Sequence, residues 1–196
     1  MSYDEARSLL EKVSIGDEAA FRILYVALSR TIYAFAWKLL RNSPESEDVV
    51  VETMHEVWRL ADRFEGRSAV KTWVLGIARN KALMKRRDWR TDEDVDDHAD
   101  SLPDTKADII EIIASAEAAQ RIKECIDKLS DSHRECLHLF FFEDCSIAEV
   151  AGLIGVAEGT VKSRLHHAKA GVKRCLEMAA RSGRPSTLKV ASWMKS

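Results

Sequence analysis

Proline is scarce in this chain, with three in 196 residues, and glycine nearly so, with eight. Few positions can therefore break a helix, and long stretches rich in Ala, Leu, Glu, Lys and Arg predict helix almost throughout. No uninterrupted apolar run approaches the ~18–20 residues of a membrane span; runs such as Ile32–Trp37 and Leu139–Phe142 are far shorter. The acidic start, MSYDEARSLL, lacks the positive flank and apolar core of a secretion signal, so a cytoplasmic protein with no direct membrane insertion is expected. The four cysteines, Cys125, Cys136, Cys145 and Cys175, form no CxxC pair and are expected to be reduced and partly buried. A Cys/His metal site could be drawn from His133, Cys136, His138 and Cys145, but 133, 136 and 138 do not share one helical face, so no metal or cofactor is expected there. A glycine-rich phosphate loop and a credible nucleophile–base set are also missing, and the chain is not expected to be an enzyme.

A uniform charge is absent as well, since the formal net is only −2. The charge is instead segregated. Arg59–Arg90 holds ten Lys/Arg against three Asp/Glu, a local net of +7, whereas Asp88–Glu117 holds eleven acidic residues against two basic ones. A concentrated cationic stretch suits a polyanion, because phosphate neutralisation with counterion release dominates nucleic-acid affinity; a solvated cationic helix accounts for the same count. The acidic stretch Thr91–Lys106, with Pro103 and few large apolar residues, reads as an extended linker between two domains, or as a strand that mimics nucleic acid.

Helix start and stop signals order the rest. Ser2 and Glu5 form a capping-box pattern that opens a helix to about Val13, and Asp17 caps a second, Glu18–Leu40, with Phe21, Leu24, Leu28, Ile32, Phe35 and Leu39 inward. Asn42-Ser43-Pro44 stops and restarts the chain, with Ser43 as the expected cap of a third helix over Pro44–Asp62. That helix buries Val50, Met54, Val57 and Ala61. A second stripe, Glu45, Asp48, Glu52 and Glu56, is acidic: either a solvated face or a docking surface for a basic partner. A fourth helix, Lys71–Asp88, places Val70, Val74, Ile77 and Ala78 inward, and Thr72, Trp73, Gly76, Arg79, Asn80 and Arg87 on another side. An aromatic, an amide and arginines together suit single-stranded nucleic acid, through stacking, base-edge reading and phosphate contacts; the alternative is that Trp73 packs in the core.

Beyond the linker, Ala107–Leu129 and a Ser130-capped segment to Phe142 read as helices. Ser146 and Glu149 form a second capping box before a short helix, Gly155-Val156 turns, and Glu158–Met178 makes a longer helix with Val161, Leu165, Ala168 and Val172 inward and Lys162, His166, Lys169 and Lys173 outward. A short helix, a glycine turn and a longer cationic helix are the pattern of a helix-turn-helix, with an ordinary helical hairpin as the alternative. The tail, Arg181–Ser196, contains Gly183, Pro185 and Trp193.

Two stretches together resemble the extracytoplasmic-function (ECF) sigma factors of bacterial RNA polymerase. One runs GDEAAFRILY (Gly16–Tyr25), ESEDVVVETMHEVWR (Glu45–Arg59) and DRFEGRSAVKTWVLGIARNKALMKRR (Asp62–Arg87); the other is LSDSHRECLHLFFFEDCSIAEVAGLIGVAEGTVKSRLHHAKAGVKRCL (Leu129–Leu176). The resemblance implies an all-α fold of two small helical domains on a flexible acidic linker: a region 2-like domain at 1–90, the linker at 91–106, a region 4-like helix-turn-helix domain at 107–180 and a tail at 181–196. It implies a dissociable polymerase subunit that reads the −35 and −10 promoter elements and helps melt the −10 DNA. Implied partners are core RNA polymerase, met at the clamp of its largest subunit and the flap of its second-largest, promoter DNA, and an anti-sigma factor.

The resemblance also assigns residues. Glu45, Asp48, Glu52 and Glu56 would bind core polymerase. Phe64, Gly66, Arg67, Ser68, Lys71, Trp73, Arg79, Asn80, Arg86 and Arg87 would meet the −10 DNA. Glu158, Gly159, Thr160, Lys162, Ser163, Arg164, His166, His167 and Lys169 would meet the −35 element. This chain departs from the pattern at Val51, where Gln is frequent, at Val70 and Ile147, where Phe and Tyr are usual, and at His167, where Arg is common. Two other readings compete: a dimeric helix-turn-helix regulator acting without core polymerase, and a helical metal or redox sensor built on the cysteines and histidines.

Overall fold

The computed structural model describes residues 1–87 and 116–181, and every described element is helical. The chain divides into two compact units, Met1–Glu93 and Asp94–Ser196. The expected linker at 91–106, the helical segment expected at 107–115 and the tail beyond 181 lie outside the described residues.

The first unit contains α1 (Tyr3–Ser14), α2 (Glu18–Leu40), α3 (Ser43–Leu60), a short 3-10 turn (Ala61–Arg63) and α4 (Val70–Arg87). Local capping sets the helix starts. Ser2 and Glu5 close the reciprocal capping box on α1, and the Asp17 carboxylate accepts from the backbone N–H of Ala20 to start α2. The cap of α3 is Asn42, which accepts from the Glu45 N–H; Ser43 is already helical. Ser43 was the expected cap, but Asn42 is held in the extended conformation that a cap requires, so its side chain does the capping one residue earlier. Between α2 and α3 the chain reverses at Arg41, a non-glycine residue in the left-handed region (φ 54°). Its guanidinium lies 4.7 Å from the centre of the Trp37 ring.

The core of this unit is the inward stripe of α2 packed on α3 and α4. Leu24, Ile32, Phe35, Val49, Met54, Val57, Val74, Leu75 and Ala78 are all at most 1% exposed. Phe21, expected inside, is only half-buried; it meets the Trp58 ring edge-on at 5.1 Å near the surface. By length and mean hydropathy (1.3) α2 alone among the described helices passes the composition test for a membrane span, which the count of uninterrupted apolar residues does not register. Here it is the central helix of the bundle, with Ala20, Leu24, Leu28, Ile32, Phe35, Ala36 and Leu40 buried.

The second unit contains α5 (Ala116–Asp127), α6 (Asp131–Phe141), α7 (Ile147–Ile154) and α8 (Glu158–Arg181). Ser130 caps α6, and Ser146 with Glu149 forms the expected capping box on α7. Gly155 ends α7 in the left-handed conformation (φ 73°), and its N–H returns to the carbonyl of Ala151. Leu137, Leu139, Phe140, Val150, Val161 and Ala168 fill the centre, each at most 1% exposed.

One expectation about the cysteines fails. Cys125 of α5 and Cys175 of α8 form a disulfide, whereas Cys136 and Cys145 are free and buried. The pair is 50 residues apart in sequence, and only the packing of α8 back on α5 makes the two sulfurs neighbours. Gly171 permits that approach, since a Cβ there would stand 2.9 Å from the Leu129 side chain.

Candidate functional site

The acidic stripe of α3 is real, and it is already partnered. α4 packs beside α3, and the Lys85 ammonium reaches Glu45 (2.9 Å), Glu52 (3.2 Å) and Asp48 (3.4 Å). Lys81 lies 3.7 Å from Glu56, which also pairs with Arg59 at 2.5 Å. Hydrogen bonding to Glu45 first, and then to Glu52 and Asp48, holds Lys85 well above the ordinary lysine range, against an opposing desolvation effect. The Arg59 hydrogen bond lowers the Glu56 carboxyl. Part of the cationic surplus counted in Arg59–Arg90 is thus spent inside the unit, on the neighbouring helix. Asp48 and Glu52 keep 65% and 45% of their side-chain surface and are the members of the stripe still open to a partner.

The residues expected to meet the −10 element lie along the loop after the 3-10 turn and down α4. Gly66 takes φ 71°, a conformation that a side chain would strain, and so fixes the turn between Phe64 and Ser68. Arg67 pairs with Glu65 inside the loop. The Phe64 and Trp73 rings lie 5.2 Å apart at a tilt of 54°. The pair joins the loop to the first turns of α4, and both rings are half-buried. Lys71, Arg79 and Arg86 are half-buried, Asn80 is exposed, and Arg87 closes α4. Thr72, expected beside Trp73 on the outer side, is 6% exposed and points inward. Of the outer side that the spacing suggested, Trp73, Gly76 and Arg79 are half-buried and Asn80 is exposed, so Thr72 alone among those whose burial is described turns inward.

In the second unit, α7, the Gly155 turn and α8 supply the helix-turn-helix connectivity. Glu158, Gly159 and His166 are exposed, and Thr160, Lys162, Arg164, His167 and Lys169 are half-buried. His167 stacks on His133 of α6 (5.9 Å between ring centres), and the Lys169 ammonium sits over the Phe141 ring at 5.3 Å, so both lean toward α6. Ser163, expected at the −35 element, is 2% exposed: it is buried on the side of α8 away from Val161 and offers almost no surface to DNA. Its Oγ has no hydrogen-bond partner among the described residues. Ser163→Ala should therefore leave −35 DNA affinity unchanged and hold or raise the melting temperature of the unit, since it removes an unsatisfied buried hydroxyl. Lys162→Ala, on the outer side, should weaken binding and lower the salt slope by about one. A Ser163→Ala loss equal to that of Lys162→Ala in a titration with duplex DNA would restore Ser163 to the interface.

Sequence reasoning missed Lys85 and Lys81 as partners of the acidic stripe, and it missed Arg7. The Arg7 guanidinium lies against Gly66, 3.4–3.7 Å from where a Cβ would be. No local pattern marks any of the three, because each contact joins two helices, or a helix and a loop, that are far apart in sequence.

Two family models match the chain, Sigma-70 region 2 at residues 24–91 and Sigma-70, region 4 at residues 119–170, together more than half its length. Similar proteins include the ECF RNA polymerase sigma factor SigK of Mycobacterium ulcerans, 27% identical over 177 residues, covering 89% of this chain and 95% of that one. SigK of Mycobacterium bovis is 26% identical over 175 residues, covering 88% and 94%. Among solved structures, the sigma factor RpoE of Bartonella quintana, in complex with the anti-sigma factor NepR, is 26% identical with a TM-score of 0.57, covering 80% of this chain and 96% of that one. CnrH, in complex with the cytosolic domain of CnrY, shares the fold at a TM-score of 0.64 and 21% identity, covering 89% and 98%.

Proposed function

The chain belongs to the extracytoplasmic-function sigma factors, which direct transcription initiation by RNA polymerase, and from that premise we propose how its residues divide the work. The first unit docks on core polymerase through the acidic face of α3 and receives the melted −10 strand on the Gly66 loop and α4. The second reads the −35 duplex with the outer side of α8, from Glu158, Gly159, Thr160 and Lys162 to His166. The family is one of initiation factors, not of enzymes, and strand opening here draws on binding energy alone. Unstacking a base costs a few kcal/mol, and stacking on an aromatic returns about 1–3 kcal/mol per base. The protein works in the cytoplasm beside the polymerase, with the clamp of the largest subunit and the flap of the second-largest as its contacts and an anti-sigma factor as its regulator.

The observation that carries this division is the geometry of α3 and α4. One helix pair presents carboxylates at Asp48 and Glu52 on one side and the Phe64/Trp73 pair with Asn80 elsewhere, so polymerase and DNA can be held by a single rigid body. Asp48→Asn combined with Glu52→Gln should weaken core-polymerase binding severalfold at low salt and flatten its salt dependence, because exposed pairs are weak singly and screened by ions. Run-off transcription should fall in parallel and recover when the variant is supplied in excess. Unchanged core affinity in a fluorescence titration would move the docking surface off α3.

A further inference from the structure

α1 precedes the residues matched by the region 2 model, and none of its side chains belongs to the −10 surface set out above. Its Arg7 nevertheless reaches the centre of that surface. The guanidinium rests on the backbone of Gly66: a Cβ built there would stand 3.4 Å from Nη1, 3.6 Å from Cζ and 3.7 Å from Nη2. Glycine is needed at 66 for its left-handed backbone, and the guanidinium lies at van der Waals distance from the position a Cβ would take.

Arg7 is also held for use. Its Nε donates to Glu11 Oε1 at 3.2 Å. Glu11 lies one helical turn along α1, and this bond, with Tyr3 assisting, favours the charged form. The Nη groups, at the far end of the fork, are the ones turned to the loop. Half of the side chain (51%) stays exposed. The loop's own Arg67 is engaged with Glu65, so Arg7 adds a second guanidinium at the Gly66 turn, carried by a rigid helix. A planar, weakly hydrated guanidinium with spare N–H donors on one fork suits a phosphate, and it also stacks on a base face.

We propose that Arg7 is a further DNA-binding residue of this sigma factor, which backs the Gly66 loop from α1 and presents its guanidinium to a backbone phosphate of the melted −10 strand. The proposal rests on the reading of the Gly66 loop as the −10 loop.

The test uses full-length protein assembled with core polymerase on a promoter, with open-complex affinity measured across a salt series for Arg7→Gln, Arg7→Lys and, as a reference, Lys71→Gln. Arg7→Gln should weaken the complex severalfold at low salt and reduce the slope of log K against log salt by about 0.7–1, the loss of one phosphate contact. Arg7→Lys keeps the charge and should keep the slope. If Arg7→Gln lowers affinity at every salt concentration with the slope unchanged, Arg7 only props the loop, and the proposal is overturned. If Lys71→Gln shifts the slope while Arg7→Gln does not, the −10 reading stands and the proposal alone falls. If neither shifts it, the reading of the loop falls as well.

Discussion

Reduction of the Cys125–Cys175 bond should lower the stability of the second unit by about 3–4 kcal/mol, the largest single effect expected in this protein. The figure follows from chain entropy: a closure of 50 residues lies between the short and long loops for which cross-links are worth about 3 and 4.7 kcal/mol. For a helical unit of this size the melting temperature should fall by roughly 15 °C or more. The bond joins the first described helix of the unit to the C-terminal half of α8. Around it, Ile122 and Ile126 of α5 and Val172 and Leu176 of α8 are buried. The loss should therefore appear as fraying of α5 and the end of α8, with α6, α7 and the start of α8 retained longer. Differential scanning calorimetry with and without reductant, with Cys125→Ser/Cys175→Ser as the permanent mimic, measures it. A melting temperature that reductant leaves in place would mean that packing alone holds α5 to α8.

The second large effect concerns Trp73. Trp73→Ala should reduce open-complex formation by about tenfold to a hundredfold, while core-polymerase affinity stays within twofold. One base stacked on an aromatic contributes about 1–3 kcal/mol, and about 1.4 kcal/mol is a factor of ten. The geometry supports this role over a purely structural one. Trp73 is half-buried, unlike its neighbours Val74 and Leu75 at 1% exposure, and its ring is tilted against Phe64 at the edge of the Gly66 loop. Trp73→Phe should recover most of the activity, since a stacking face remains. Permanganate reactivity of the −10 thymines reads strand opening directly, and a filter or fluorescence assay reads core binding. Equal losses in both, or a melting temperature lowered by as much as a buried Trp would lower it, would assign the ring to the core.

Trp73 and the disulfide differ in how far local sequence specifies them. The surroundings of Trp73 were legible early: an aromatic, an amide and arginines on one helix after a glycine-containing loop are a local pattern, and the helix formed within a residue of its expected limits, Val70–Arg87 against Lys71–Asp88. The disulfide ran against expectation. Nothing in the spacing of Cys125 and Cys175 distinguishes them from Cys136 and Cys145, and only the return of α8 onto α5 does so. The acidic stripe stands between these cases. Its spacing was correct, but its charge balance was not, because the compensating Lys85 sits 37 residues after Asp48 on another helix.

What the sequence determined by itself were the features that hydrogen bonds and side-chain periodicity within three or four residues can specify. Ser2 with Glu5, Asp17, Ser130, and Ser146 with Glu149 start helices where they stand, and the inward stripes of α2, α3 and α8 follow the turn of a helix. The family followed from the same local record, through motifs read in order. Tertiary structure decided which faces meet. It paired Glu45, Asp48 and Glu52 with Lys85, turned Ser163 and Thr72 inward, joined Cys125 to Cys175, and laid Arg7 on Gly66. The reason is geometric. A helical repeat gives the angle of each residue about its own axis, but the rotation of one helix against the next is set by how their cores interlock, and no pattern within a single helix carries that angle.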